Sequence, residues 1–113
     1  MQSNSGVWSP PRLHEVCAIF GHPLRVEMFA LLGTGPLAVG DLAVRMQLGL
    51  GDVSRHLRRA QPWGLVAWRR IRTRHMYTLG PAVLSTERSD GVLVLRIVTA
   101  GGGELVVKLP QAT

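Results

Sequence analysis

The hydrophobic pattern of this 113-residue chain changes its period at Pro62, and this change limits the folds open to it. Before Pro62, apolar residues recur at three- and four-residue spacing, which is typical of short amphipathic helices. After it, apolar and polar residues alternate in short runs bounded by glycine and proline, which is typical of strands joined by turns. The sequence therefore predicts an α+β fold.

Four helices are predicted in the N-terminal half, and each ends near a glycine or a proline. They are expected at about residues 11–20, 23–32, 39–46 and 50–61. The apolar face of the first helix is predicted to consist of Leu13, Val16, Cys17 and Phe20. In the fourth, the predicted inward residues are Val53, Leu57 and Ala60, and the predicted outward residues are Ser54, Arg55, Arg58 and Gln61.

Two strands are predicted after Pro62, at residues 65–71 and 75–79, with Arg72, Thr73 and Arg74 as the turn between them. Two more are predicted at residues 92–99 and 105–109, joined by three glycines. The length allows one domain, which we expect to span residues 11–113. Residues 1–10 are predicted to form a flexible tail, disordered or loosely docked through Trp8.

Arginines are concentrated in the middle of the chain. Between Val53 and Thr86 there are seven arginines and no acidic residue, and the net charge of the whole chain is +6. The guanidinium fork matches phosphate oxygens and the guanine edge better than a lysine does. The pattern therefore favours a nucleic-acid surface. A solvated basic face in an arginine-rich protein is the simpler interpretation, because Lys108 is the only lysine.

Two short helices joined by a glycine-bearing turn and followed by a β-hairpin form a winged helix-turn-helix. In such a fold the second of the two helices enters the major groove of DNA, and the hairpin tip follows the backbone or the minor groove. The sequence resembles the ArsR/SmtB family of bacterial winged-helix repressors over about residues 13–80. The segments that carry the resemblance are GHPLRVEMFALL (21–32) and DVSRHLRRAQPWGLVAWRRIRTRHMYTL (52–79).

The resemblance implies a homodimeric transcriptional repressor that binds a palindromic operator. The sequence departs from the family at the metal sites, because Ala38 and Gly40 occupy the positions of the family's two cysteines. The family's C-terminal helix, which carries the other common metal site, is replaced by predicted strands with no histidine beyond His75. Gly49 takes the usual serine N-cap position of the recognition helix, which makes a weaker cap.

The predicted DNA-binding residues lie on the recognition helix and the wing. Ser54 and Arg55 are expected to read bases, Arg58 and Arg59 to contact phosphate, and two or three of the wing arginines to face DNA. For His56, a DNA contact and a structural role are both open. The full predicted set is Ser54, Arg55, His56, Arg58, Arg59, Arg69, Arg70, Arg72 and Arg74. Trp68 is expected to pack against the C-terminal strands, and Trp63 and Tyr77 in the core.

Cys17 has several interpretations. With His14 and His22 it could bind zinc or copper, or it could sense oxidants in a dimer. Its position on the predicted apolar stripe favours a buried structural thiol. No catalytic constellation or phosphate-binding glycine motif stands out, so the sequence predicts a protein that is not an enzyme, with no cofactor and no metal.

Other features bear on location and partners. There is no run of about 18 apolar residues, no signal peptide pattern and a single cysteine, so a cytoplasmic protein without membrane contact is expected. The expected partners are double-stranded DNA and a second copy of the chain, and no motif identifies an effector.

The dimer interface is expected in the first helix and the C-terminal strands. A monomer with the C-terminal hairpin folded on its own core is the competing interpretation. The alternative functions are a winged-helix protein-interaction or assembly module and an RNA-binding protein.

Overall fold

The structure is a computed structural model that describes residues 8–110, with the helices first and most strands after them. The helices are α1 (Leu13–Phe20), α2 (Pro23–Leu32), α3 (Val39–Met46) and α4 (Leu50–Ala60). The strands are β1 (Leu37–Ala38), β2 (Val66–Ile71), β3 (Arg74–Leu79), β4 (Val83–Ser89), β5 (Val92–Val98) and β6 (Glu104–Pro110). A short 3₁₀ turn, Gln61–Trp63, follows α4. The mixed helix-and-strand architecture expected from the sequence is therefore present.

The helical core forms where the apolar stripes of α2, α3 and α4 meet. The predicted inward residues of α4 are confirmed, since Val53, Leu57 and Ala60 are all fully buried. Helix α2 lies at the centre, with each residue from Met28 to Leu32 buried. Burial of one such large apolar side chain contributes about 1.5–3 kcal/mol. This packing fixes which side of α4 remains in solvent.

The predicted apolar face of α1 is wrong in part. Leu13 is 58% exposed and Cys17 is also exposed, whereas Val16 and Ile19 are buried. The apolar residues of this eight-residue helix form two overlapping stripes. The stripe that faces the core contains Val16 and Ile19, which are three positions apart. Cys17 therefore does not have the buried position that its spacing predicted.

The first sheet has the strand order β1-β3-β2, and its β2-β3 hairpin is the wing. Ile71 lies opposite Arg74, so the turn contains only Arg72 and Thr73. Arg74, predicted in the turn, is instead the first residue of β3. Arg72 adopts a left-handed conformation, with φ 59°, as a two-residue hairpin turn requires. The sequence analysis did not find β1, which has only two residues and pairs with β3.

The second sheet has the order β4-β5-β6 with both pairings antiparallel. Its inner side contributes Leu93, Leu95, Ile97 and Leu109 to the core. It lies against the end of α2, where a Cβ on Gly33 would come within 2.5 Å of a Leu93 methyl group. The sequence analysis assigned strands at residues 92–99 and 105–109 and left β4 unassigned.

The N-terminal segment runs beside the start of the wing. Residues 1–7 of the predicted tail lie outside the described residues. Trp8 lies directly over Gly64, where a Cβ would come within 2.3 Å of the indole ring, and the backbone N–H of Ser9 donates to the Pro62 carbonyl over 2.9 Å. Among residues 8–110, no helix is long and apolar enough to cross a membrane.

Candidate nucleic-acid interface

The solvent side of α4 carries three exposed arginines. Because Val53, Leu57 and Ala60 face the core, Arg55, Arg58 and Arg59 remain exposed, and Ser54 is half-buried beside them. Gly49 is the N-cap and makes no side-chain cap hydrogen bond. The N-terminus of α4 is therefore held less firmly than one capped by serine.

Arg55 already has an intramolecular partner. Its guanidinium lies 3.3 Å from a carboxylate oxygen of Asp52, one helical turn earlier, and both side chains are exposed. An ion pair of this kind contributes at most about 1 kcal/mol, because water and salt screen it. Asp52 therefore holds the Arg55 guanidinium only weakly, and another acceptor can replace it at little cost.

The wing carries four more arginines, and all four are exposed. Since strand side chains alternate, Arg69 and Arg74 lie on one face and Arg70 lies on the other, opposite His75. Arg72 occupies the tip. Positive charge is thus available on both faces of the hairpin and at its end.

Arg74 connects the wing to α3. Its guanidinium lies 3.2 Å from Asp41 Oδ2, and the same oxygen accepts a hydrogen bond from the backbone N–H of Ala38. Asp41 therefore closes the N-terminus of α3 and contacts the wing with one carboxylate. The sequence analysis missed this contact because it joins residues 33 positions apart.

His56 does not point straight outward from α4. Its ring makes an edge-on contact with His22 at the start of α2, with ring centres 4.8 Å apart. Burial lowers the pKa of His56 below its ordinary value, and the neighbouring His22, Arg25 and Arg55 lower it further while Asp52 opposes them. The imidazole therefore resists protonation, and the geometry gives His56 a structural contact alongside its position near the basic surface.

Two residues at the start of α2 adjoin this surface: His22, considered above only as a metal ligand, and Arg25, for which the sequence predicted no role. His22 caps α2, where its Nδ1 accepts a hydrogen bond from the Leu24 N–H. The Arg25 guanidinium donates to the carbonyls of Ile19 and Ala18 at the end of α1. Burial lowers the pKa of Arg25, and so does the nearby charge of Arg59. Positive charge therefore continues from α4 towards α2.

An aromatic ladder runs along the wing face that carries Arg70. His75 lies against the ring of Trp68, with centres 4.3 Å apart, and stacks on Tyr77 at 5.2 Å. Burial raises the pKa of Tyr77, and the charge of Arg58 opposes that rise. Trp63 and Tyr77 are partly buried and pack against the core.

The metal-ligating side chains of the described residues do not cluster. Between residues 8 and 110, no group of three or more His, Cys, Asp or Glu side chains is placed to hold a metal ion. His22, proposed from sequence as a neighbour of Cys17, is instead in contact with His56.

Several solved structures resemble this chain. The transcriptional repressor BigR from Xylella fastidiosa matches with a TM-score of 0.58 and 26% identity, over 62% of this chain and 69% of BigR. The transcriptional regulator HlyU from Vibrio vulnificus CMCP6 matches with a TM-score of 0.54 and 27% identity, over 59% of this chain and 70% of its own.

A third match is the homodimeric winged helix-turn-helix DNA-binding domain of Mb0332 from Mycobacterium bovis, with a TM-score of 0.55 and 28% identity over 59% of this chain and 62% of that fragment. No protein-family model matches the chain, and no curated protein matches its sequence. The chain is therefore similar in fold to winged-helix regulators of transcription.

Proposed function

We propose that this protein is a sequence-specific, double-stranded DNA-binding repressor of the ArsR type, which acts as a homodimer and uses neither of that family's common metal sites. The observation that carries the proposal is the exposure of all seven arginines on α4 and the wing. These seven cations lie in solvent on consecutive elements, α4 and the β2-β3 hairpin, and such a concentration of one charge sign is complementary to a polyanion.

The proposed contacts divide by position. Ser54 and Arg55 lie towards the N-terminal half of α4 and read base edges in the major groove. Arg58 and Arg59 bind phosphates, and His56 lies between the two groups. On the wing, Arg72 lies at the tip, and two or three of Arg69, Arg70, Arg72 and Arg74 track the backbone. Two copies place their recognition helices about one turn of DNA apart.

Selection of bound duplexes from a random pool tests the proposal, followed by titration of the selected sequence at several salt concentrations. We expect an enriched inverted repeat, with log affinity falling by roughly 0.9 per log unit of salt for each phosphate contacted. Arg58→Gln should weaken binding at least several-fold. The matched control is Arg88→Gln on β4, which removes the same charge from an edge of the second sheet and should leave affinity unchanged.

Three outcomes would contradict the proposal. The absence of salt-dependent DNA binding would favour a protein-interaction or assembly module. Duplex RNA that competes as well as DNA would favour RNA binding. Equal losses for Arg58→Gln and Arg88→Gln would show that net charge, and not the α4 surface, determines binding.

A further inference from the structure

Strand β6 forms an edge of the second sheet that lacks a neighbour on one side. The sheet order is β4-β5-β6, and among residues 8–110 no strand pairs with the outer side of β6. All seven residues of β6 pair with β5 without a register shift. A regular edge strand of this kind presents a row of backbone groups that another strand can bind.

The turn before β6 fixes which backbone groups face outward. The Thr99 N–H donates to the Gly103 carbonyl over 2.8 Å, so this opposed pair is hydrogen-bonded. Hydrogen-bonded and non-hydrogen-bonded pairs alternate along an antiparallel ladder. Leu105, Val107 and Leu109 therefore bond to β5. The N–H and C=O groups of Glu104, Val106 and Lys108 point away from the sheet.

We propose that β6 pairs antiparallel with β6 of a second copy of this chain, around a two-fold axis at Val106. In this register Val106 lies opposite Val106 of the second copy, Glu104 lies opposite Lys108 of the second copy, and Leu105 lies opposite Val107. The three outward-facing pairs exchange two hydrogen bonds each, about six in all. The two sheets become one continuous six-stranded sheet across the dimer.

Charge selects this register among the symmetric alternatives. An axis at Val107 places Glu104 opposite Pro110, which has no N–H to donate. An axis at Lys108 places like charges opposite each other. The axis at Val106 brings Lys108 of the second copy to Glu104, which also pairs with Arg96 of its own chain. An opposite-charge contact thus forms at both ends, and such cross-strand pairs stabilise a sheet.

The apolar side chains of β6 fit the same arrangement. Val106 is 53% exposed, and Leu105 and Val107 are only half-buried although they point towards the core side. A second β6 covers all three. The opposite edge is protected differently, because β4 has a bulge between Val83 and Ser85 and carries the charges of Glu87 and Arg88.

A charge-swap experiment tests this interface, which rests on the dimer in the proposed function but not on DNA binding. Glu104→Lys and Lys108→Glu each convert both cross-strand pairs into like-charge pairs. We expect each variant alone to have a dimer dissociation constant at least about tenfold weaker, measured by sedimentation equilibrium. Mixed together, they should form a heterodimer with opposite charges at both ends that is tighter than either variant homodimer, although Glu104→Lys also removes the partner of Arg96.

The heterodimer also controls for folding, since two misfolded chains would not restore each other. A matched control is Glu87→Lys on β4, which makes the same charge change on the other edge and should not alter dimerisation.

A wild-type chain that stays monomeric at tens of micromolar overturns the interface, and so do charge swaps that leave dimerisation unchanged. Operator binding by such a chain would leave the proposed DNA-binding function standing. A charge-sensitive dimer that does not bind DNA would instead support the interface and contradict the function.

Discussion

Arg74 on the wing and Asp41 on α3 form an ion pair that joins the wing to the helix before α4, with 3.2 Å between guanidinium nitrogen and carboxylate oxygen. The same Asp41 oxygen accepts the Ala38 N–H at the start of α3. One acidic side chain thus fixes a helix end and restrains the orientation of the hairpin, while reducing the charge that Arg74 offers to a phosphate.

Asp41→Asn should separate these effects. Loss of the carboxylate weakens the cap and the ion pair, so we expect the free energy of unfolding to fall by about 0.5–2 kcal/mol in urea titrations. DNA affinity should nonetheless rise at low salt, because Arg74 is released and a negative charge is removed. The salt slope should steepen by roughly 0.9. Glu87→Gln, on β4, removes a similar charge elsewhere and should change neither quantity. Weaker DNA binding by Asp41→Asn would show that wing orientation matters more than charge.

The contact between His22 and His56 predicts a dependence of stability on pH. Burial lowers the pKa of His56 in the folded chain, whereas the unfolded chain keeps a value near 6.5. Below about pH 6.5 the unfolded state therefore binds more protons, and folding stability falls as pH falls towards the lower folded-state pKa. Unfolding by urea at pH 7.5, 6.5 and 5.5 should show this decline.

His56→Gln should remove part of that decline, because the side chain no longer titrates. His14→Gln is the matched control, since His14 is exposed on α1. It should leave the pH dependence as in the wild type. If both variants kept the full decline, the dependence would have to come from groups other than His56.

Two glycines with opposite surroundings give a third prediction. Gly51 lies within α4, and a Cβ there would meet nothing within 4 Å. Gly51→Ala should raise the free energy of unfolding by about 0.5–1 kcal/mol, because alanine restricts the unfolded chain and favours the helix. At Gly80 a Cβ would come within 2.2 Å of the Gly64 carbonyl oxygen, so Gly80→Ala should destabilise the chain. Thermal unfolding measures both, and equal effects would contradict these packing distances.

The sequence predicted most accurately the elements in which the spacing of the apolar residues allowed only one buried face. The inward face of α4 was clear because Val53, Leu57 and Ala60 are separated by charged or polar residues. The apolar residues of α1 lie closer together, so the sequence could not show that Ile19 is buried and Leu13 exposed. Strand β4 was not predicted because its residues 85–89 are all polar or charged, as is common in edge strands. Contacts such as Arg74 with Asp41, or His22 with His56, join distant parts of the chain and have no local signal.

The last prediction separates base reading from phosphate binding. Arg55 lies on the outer face of α4, whereas Arg72 lies at the wing tip in a left-handed turn. Arg55→Ala should reduce discrimination against one substituted base pair by about 1–3 kcal/mol, because a guanidinium that contacts a base edge is lost. Arg72→Ala should weaken binding to every duplex by a similar factor and reduce the salt slope by about 0.9.

Titration of both variants against the selected duplex and its single base-pair variants measures the difference. Asp52→Asn provides a further control, since it frees Arg55 from its partner 3.3 Å away without removing the guanidinium. It should keep the wild-type order of base preferences and bind somewhat more tightly. If Arg55→Ala lowered affinity for all duplexes equally, Arg55 would be a phosphate contact. Ser54 and its neighbours at the start of α4 would then be the residues that contact base edges.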